Sequence, residues 1–336
     1  MDRIQIDFDK EKTGIIKGVA IIFMIVLHVF GGAGWYEDRY DLPMNNNEIL
    51  IHFMGALQIC VGIFTFMIGF GYAFSKKKDF AYSIHHTKQL LHVFWTVLFL
   101  FALPAGYCAI GGGKSLILNM FGIDETLSWV SWFVFLYIWA MIVMPFIGRL
   151  IDRKPFVYSI LSALASWGGM VAVHYFVPGF GKSELYRTLF TCLGWTPTII
   201  LGYLFAKQGL FRQLSIPNHP FVSIVAVILI LFVLWAKSVF HGISILNFDI
   251  LYATIIITCI LVIFSQMRLK WIRKILIELG DKSVYMWFIH ALFFTAATRP
   301  VYQQLVMISD NLWLIAIWTI IISYMCAFLL KKLTDI

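Results

Sequence analysis

Two ionisable residues in the first hydrophobic stretch have a spacing that suits chemistry inside a membrane. Lys17 and His28 are separated by ten uncharged residues. In a helix, that spacing leaves their side chains about 20° apart around the axis and about 16 Å apart along it. An ionisable side chain at that depth costs free energy and commonly marks a functional site. His28 is therefore a candidate catalytic residue; the alternative is a neutral histidine that packs between helices.

A second histidine repeats this placement near the end of the chain. His290 lies eleven residues after Leu279, where another hydrophobic stretch begins. If both stretches cross the membrane in the same direction, helices of equal rise place His28 and His290 at similar depth. Ser283 and Trp287 fall roughly on the His290 face. We therefore predict that the two histidines approach each other and line one cavity, with Ser283 below them.

Composition indicates which elements must position these residues. Hydrophobic residues make up 60% of the 336-residue chain and charged residues only 13%, whereas soluble domains carry about 25% charge. Apolar stretches near the length needed to cross a bilayer recur throughout. The sequence predicts an all-α integral membrane protein, a single bundle of about ten transmembrane helices that forms one domain over 1–336. The predicted spans are about 15–34, 49–74, 89–110, 129–148, 156–177, 187–206, 221–240, 248–267, 279–298 and 312–330.

The distribution of basic residues predicts the orientation. If both termini are cytoplasmic, all but six of the 26 Lys and Arg residues lie in cytoplasmic segments, as the positive-inside rule requires. The six are Arg39, Lys114, Lys182, Arg187, Lys237 and Arg299. The net charge of +8 is thus explained by orientation, and no nucleic-acid partner is expected because the basic residues are spread over short loops. We expect the first span to be retained, because acidic residues precede it and a signal peptide needs a basic start.

The five cysteines do not indicate a disulfide framework or a metal site. All of them fall inside predicted spans, without paired spacing or neighbouring histidine ligands. They are expected to be small packing residues. The sequence therefore predicts no metal and no permanently bound cofactor.

Four segments, in their order along the chain, resemble those of the acyltransferase-3 family of integral membrane acyltransferases. They are Lys17 with His28, Trp132-Phe133 through Pro145, Gly202 to Lys207, and Leu279-Gly280 with Ser283, Tyr285 and His290. The resemblance covers nearly the full length. Two positions depart from the family pattern: Ile68 stands where serine is common, and Lys88 stands alone where the third span usually begins with several arginines. No appended extracytoplasmic esterase-like domain is expected.

The resemblance implies transfer of an acyl group, usually acetyl, from cytoplasmic acetyl-CoA to a hydroxyl of a cell-surface or extracytoplasmic glycan. It also implies a multi-pass protein of the plasma membrane, in a bacterium. His28 would act either as general base or as acyl carrier, with His290 as the second catalytic residue. Candidate cations for the donor phosphates are Lys17, Lys88, Arg149, Arg153 and Lys282. Candidate supporting or acceptor-channel residues are Ser283, Tyr285, Trp287, Trp35 and Arg299.

The sequence is also compatible with two other functions. In a transporter or flippase of a glycan or lipid-linked precursor, the histidines would line a polar pathway. That function predicts repeat symmetry between the two halves, which the sequence does not display. The other alternative is a non-catalytic membrane subunit of a polysaccharide assembly. Lys17 has a simpler alternative as well, a charged anchor at the cytoplasmic surface.

Overall fold

The computed structural model describes residues 3–31, 48–75, 78–177, 183–240, 242–243, 246–267 and 269–334. The fold is 83% helical, as the sequence predicts. The helices are α1 Lys10–Gly31, α2 Glu48–Gly55, α3 Ile59–Ala73, α4 Phe80–Val97, α5 Leu103–Gly106, α6 Gly113–Met120, α7 Trp132–Arg153, α8 Pro155–Phe176, α9 Glu184–Gln208, α10 Pro220–Val239, α11 Asp249–Gln266, α12 Lys270–Asp281, α13 Ser283–Phe294, α14 Arg299–Tyr302 and α15 Leu312–Thr334. Four short strands are β1 Arg3–Gln5, β2 Ser215–Pro217, β3 Gly242–Ile243 and β4 Leu246–Asn247.

Within the described ranges, nine helices are long and apolar enough to cross a membrane, which confirms the predicted all-α membrane bundle. The predicted ninth span, 279–298, is different. Its first three residues belong to α12, and its apolar part is α13, a helix of 12 residues that rises only about 18 Å. The buried cation Lys282 separates α13 from α12, and the backbone leaves the helical conformation at Thr295. Polar residues at both ends therefore shorten this apolar helix.

The short helix α13 lies at the centre of the bundle. It packs against α1, α4 and α15, and α3 packs on α1, α9 and α11. Nearly every α13 side chain is buried. In contrast, α8 and α10 expose large apolar side chains such as Phe156, Ile160, Ile228 and Phe232. A hydrocarbon environment is the one in which such an outer surface is stable.

A close crossing of α1 and α12 fixes the position of α13 relative to α1. A Cβ atom at Gly18 would overlap the carbonyl of Leu276, and one at Gly280 would overlap the carbonyl of Gly14. Small residues four apart are the usual means of bringing two membrane helices into backbone contact. Since α13 begins two residues after α12 ends, this crossing also sets how α13 lies against α1.

The β1–β2 pair identifies which helix ends lie together. Ile4 pairs with Ile216 in antiparallel register, so the start of α1 and the end of α9 share one end of the bundle. His28, in the last turn of α1, is near the other end, where α9 begins at Glu184. We refer to these as the amino-terminal end and the histidine end.

Ion pairs occur at both ends of the bundle. Lys237 of α10 pairs with Asp249 of α11, with both side chains almost inaccessible. Near the amino-terminal end, Asp152 accepts ion-pair contacts from Lys78 and Lys207 at 3.2 and 2.9 Å. Lys237 is therefore a packing residue and not a loop cation, because a buried charge needs a partner of opposite sign.

Candidate active site

The two histidines meet between α1 and α13. His28 Nδ1 lies 2.7 Å from His290 Nε2, and the ring planes are inclined by only 8° with centroids 4.9 Å apart. The prediction that the two side chains approach each other is confirmed. The depths match although Leu279 and His290 do not share one helix, because α12 ends at Asp281 and α13 begins at Ser283.

The hydrogen bonds of His290 define where the protons lie in this pair. His290 Nδ1 is 2.9 Å from the carbonyl oxygen of Met286, and a carbonyl can only accept. In a neutral ring Nδ1 therefore carries the hydrogen, and Nε2 accepts a hydrogen bond from His28 Nδ1–H. His28 Nε2 is then the nitrogen with a free lone pair, as a general base or a nucleophile requires.

His28 lines a cavity of about 360 Å³ at the histidine end. Trp129, Trp132, Trp287 and Gln58 contribute to the wall, and the Trp129 ring centroid is 4.3 Å from that of His28. His290 is fully buried and is not among the described lining residues. Against expectation, His28 is the one histidine of the pair that lines this cavity among the described residues.

Lys17 lies towards the amino-terminal end and lines two adjoining cavities of about 210 and 410 Å³. Ser283 lines the smaller of them, so it lies on the Lys17 side of the histidines, as predicted. No ion-pair or hydrogen-bond partner is found for the Lys17 ammonium within the described part of the chain. A half-buried, unpaired cation beside a cavity suits an anionic ligand.

An aromatic layer separates the Lys17 cavities from the His28 cavity. The Trp287 ring lies 4.3 Å from Phe133 and 4.8 Å from Phe64, centroid to centroid. Phe64 and Phe133 line the smaller Lys17 cavity, whereas Trp287 lines the His28 cavity. The three rings thus lie between the smaller Lys17 cavity and the His28 cavity.

The other predicted donor-binding cations lie apart from these cavities. Lys88, Arg149 and Arg153 are exposed and do not line the cavities described here. Lys282 is buried and makes ion pairs with Glu278 at 2.5 Å and Asp281 at 3.4 Å. Its charge is therefore neutralised by direct ion pairs, whereas Lys17 has only the longer-range attraction of the Asp281 carboxylate among the described residues.

The predicted supporting residues are also dispersed. The Tyr285 hydroxyl is 2.7 Å from the Thr334 hydroxyl, which ties α13 to α15 and not to the histidines. Arg299 is half-buried at the start of α14 and does not line the His28 cavity. Of the predicted supporting residues that the structure describes, Trp287 alone lines the His28 cavity. Trp35 lies outside the described residues.

Several residues of the site were not predicted from the sequence. Trp129, Gln58 and Phe64 come from separate segments and meet only through packing. The one sequence signal for Trp129 is its position three residues before the Trp132-Phe133 motif. No group of three potential metal ligands occurs in the described ranges, and the five cysteines are free thiols.

A family model described as an acyltransferase domain, acyltransferase-3, matches residues 13–332, nearly the whole chain. The chain belongs to the acyltransferase-3 family. It is accordingly a multi-pass membrane acyltransferase. No curated protein and no solved structure matches the chain significantly.

The acyltransferase-3 motifs have distinct structural roles in this protein. A Cβ atom at Gly202 would overlap the carbonyl of Phe66, so Gly202 permits the close crossing of α3 and α9. The next residue, Tyr203, donates its hydroxyl hydrogen to Asp152 at 2.8 Å. Ile68, which departs from the family pattern, lines the smaller Lys17 cavity. The residue that departs from the family pattern therefore lies on the Lys17 side of the aromatic layer.

Proposed function

We propose that this acyltransferase transfers an acetyl group from acetyl-CoA to a hydroxyl of a cell-surface or extracytoplasmic glycan. The single observation that carries the proposal is the His28–His290 hydrogen bond, with His28 on the wall of a cavity. The pair leaves a basic nitrogen where a hydroxyl and a thioester can meet. The family assignment supplies the reaction type, acyl transfer.

The donor would bind at the amino-terminal end. Lys17 offers an unpaired cation to the phosphates of CoA, and the thin pantetheine arm would extend along the Lys17–His28 face, about 16 Å long. The thioester would then pass the aromatic layer and reach His28. Because the basic residues predict a cytoplasmic amino-terminal end, the donor would enter from the cytoplasm and the acceptor from outside.

In the direct mechanism, His28 Nε2 takes the proton of the acceptor hydroxyl while its oxygen attacks the thioester carbonyl carbon. The resulting tetrahedral intermediate collapses with cleavage of the C–S bond, and the imidazolium returns the proton to the leaving thiolate. The products are the acetyl ester and CoA. His290 Nε2 accepts the His28 Nδ1–H and stabilises the positive charge on His28 during the reaction.

In the alternative mechanism, His28 Nε2 attacks the thioester itself and carries the acetyl group to the acceptor. The two routes differ when no acceptor is present. An acyl-histidine route releases up to one equivalent of CoA per protein in a burst and leaves the label on the protein. The direct route shows neither.

The plasma membrane of a bacterium is the proposed location, with both termini in the cytoplasm. The asymmetry of basic residues supports the orientation. The bacterial assignment rests on the family resemblance alone.

Transfer of label from acetyl-CoA to glycan by the purified protein in lipid nanodiscs tests the proposal. His28→Ala should lower turnover by about 100- to 10,000-fold, the usual contribution of a general base. His92→Ala changes an exposed histidine outside the cavity and should retain activity. Near-normal turnover of the His28→Ala protein contradicts the mechanism. Unchanged ester content of surface glycans in cells lacking the gene contradicts the glycan acceptor.

A further inference from the structure

A second cavity adjoins the His28 cavity at the histidine end. Its volume is about 400 Å³, within the range of small-molecule sites. Gln58 and Trp132 line both cavities, so the two spaces share a wall. A molecule that occupies the second cavity is thus positioned to extend a group towards His28.

The lining of this cavity is polar and aromatic. It contains two carboxylates, one guanidinium, an amide and two indole rings. These belong to Glu125, Glu184, Arg187, Gln58, Trp132 and Trp195. Hydrogen-bonding groups that point to a space with flat apolar rings suit a sugar, which has hydroxyls at its rim and C–H groups on its faces.

The loop that carries Glu125 is held in place by its neighbour Asp124. The Asp124 carboxylate accepts hydrogen bonds from the Ser115 hydroxyl at 2.5 Å and from the Thr126 amide at 2.9 Å. Although burial opposes its charge, these bonds hold the pKa of Asp124 below its usual value. The side-chain oxygen of Asn119 also accepts a hydrogen bond from the Leu127 amide at 3.0 Å. The position of Glu125 is therefore built into the fold.

The charges in the cavity discriminate between classes of acceptor. Arg187 lies 4.0 Å from Glu184, and no ion pair to Glu125 is found among the described residues. Burial raises the pKa of the Glu125 carboxyl, with Arg187 opposing the shift. Two carboxylates against one guanidinium leave the cavity without spare positive charge, so an anionic sugar would be repelled.

We infer that this cavity binds an uncharged sugar residue of the acceptor, with Trp132 and Trp195 against its faces and Glu125, Glu184 and Arg187 bonded to its hydroxyls. This inference rests on the proposed function, because it assigns the acceptor of that same reaction. The bound sugar then directs a hydroxyl of the acceptor towards His28, past Gln58 and Trp132, which line both cavities. The site selects neutral acceptors and disfavours uronic acids.

Steady-state kinetics on linear tetrasaccharides of glucose, of N-acetylglucosamine and of galacturonic acid test the inference. Wild type should use a neutral tetrasaccharide in preference to the galacturonate. Glu125→Gln and Arg187→Gln should each raise the acceptor KM about tenfold or more, as the loss of a hydrogen bond to a charged group predicts, with the KM for acetyl-CoA unchanged. Asp310→Asn, an exposed carboxylate at the same end outside the cavity, should leave both KM values unchanged.

Charge reversal provides a second, independent measurement. Glu125→Arg should shift the ratio of kcat/KM values for galacturonate over neutral acceptor upwards by at least tenfold. If wild type transfers acetyl to sugars but prefers galacturonate, or if neither Glu125→Gln nor Arg187→Gln changes the acceptor KM, the inference is overturned and the proposed function stands. If wild type transfers acetyl to none of these sugars, the glycan proposal itself fails and the inference falls with it.

Discussion

At the scale of single residues, His28 is hydrogen-bonded to a partner that carries no negative charge. His290 is held by the Met286 carbonyl at 2.9 Å and not by a carboxylate. A neutral chain of donors and acceptors avoids the cost of burying an isolated anion in an apolar bundle. It still fixes the tautomer that leaves His28 Nε2 free, which is the role that second-layer hydrogen bonds commonly play.

Replacement of His290 should impair catalysis through His28. In His290→Ala the His28 Nδ1–H loses its acceptor, so we expect kcat to fall by about 100-fold or more, with the KM for acetyl-CoA little changed. Because both residues act as one unit, the His28→Ala/His290→Ala double variant should be little worse than His28→Ala alone. Single-turnover transfer of labelled acetyl in nanodiscs measures the rates of the two single variants and of the double variant.

His290→Gln is the conservative comparison for this pair. Its side-chain oxygen retains an acceptor for His28 Nδ1–H, so activity should recover part of the loss seen in His290→Ala. Fully additive losses in the double variant would show that the two histidines contribute independently, against the proposed pairing.

Replacement of Lys17 should weaken donor binding. Lys17→Ala removes the cation that lines the two cavities of the proposed donor site, so the KM for acetyl-CoA should rise by about tenfold or more, while the acceptor KM stays constant. Lys17→Arg should bind the donor nearly as well, because both side chains are phosphate-binding cations. Isothermal titration with CoA gives the affinities directly.

Lys88→Ala is the matched control, since Lys88 is an exposed cation of the same type that does not line the cavities described here. Equal affinities of Lys17→Ala and wild type for CoA would leave Lys17 as a topological anchor only.

At the scale of elements, the crossing of α1 and α12 positions the site. Gly18 lets the α1 backbone touch the carbonyl of Leu276, and Gly280 does the same at Gly14. Since α13 follows α12 after a single residue, any displacement of α12 moves His290 relative to His28. A packing contact close to the amino-terminal end therefore controls a hydrogen bond near the histidine end.

Gly18→Ala should destabilise the protein and reduce acyl transfer. The added methyl group overlaps the Leu276 carbonyl, and overpacking of this kind costs about 1–3 kcal/mol. Gly168→Ala is the control, because a Cβ there meets open space and alanine favours the α8 helix by about 0.5–1 kcal/mol. Thermal unfolding in detergent and transfer activity should both distinguish the two variants, and equal melting temperatures would contradict the crossing argument.

At the scale of the whole molecule, two groups of cavities lie at opposite ends of the bundle. Phe64, Phe133 and Trp287 lie between the smaller Lys17 cavity and the His28 cavity. Under the proposed function, this arrangement would let a donor and an acceptor from opposite sides of the membrane meet without an open water path. Exclusion of water also favours transfer to the acceptor over hydrolysis.

Removal of the largest ring in this layer should uncouple the reaction. In Trp287→Ala the two groups of cavities merge, so water gains access and the ratio of CoA released to acetyl transferred should rise by severalfold. Trp287→Phe keeps a ring in the layer and should stay close to wild type. Parallel assays of free thiol and of labelled product give this ratio, and an unchanged ratio in Trp287→Ala contradicts the role of the layer as a barrier.

The sequence predicted those features that depend on local chain geometry. Apolar composition and span length predicted the all-α membrane bundle, because every backbone polar group in hydrocarbon must be bonded within a helix. The constant rise and twist of a helix predicted Lys17 and His28 on one face of α1. The depth of His290 was predicted from a helix that starts at Leu279, whereas α13 starts at Ser283. The family followed from four short motifs.

Only the tertiary structure decided which residues share a cavity. The distances between Trp129, Gln58 and Phe64 depend on helix crossings that no single segment encodes. The same holds for Lys282 and Lys17, two cations of similar sequence context. Lys282 makes direct ion pairs with carboxylates, whereas no direct ion pair of Lys17 is found in the described part of the chain. Periodicity fixes the direction of a side chain about its own helix axis, whereas its neighbours are fixed by how distant helices pack against that axis.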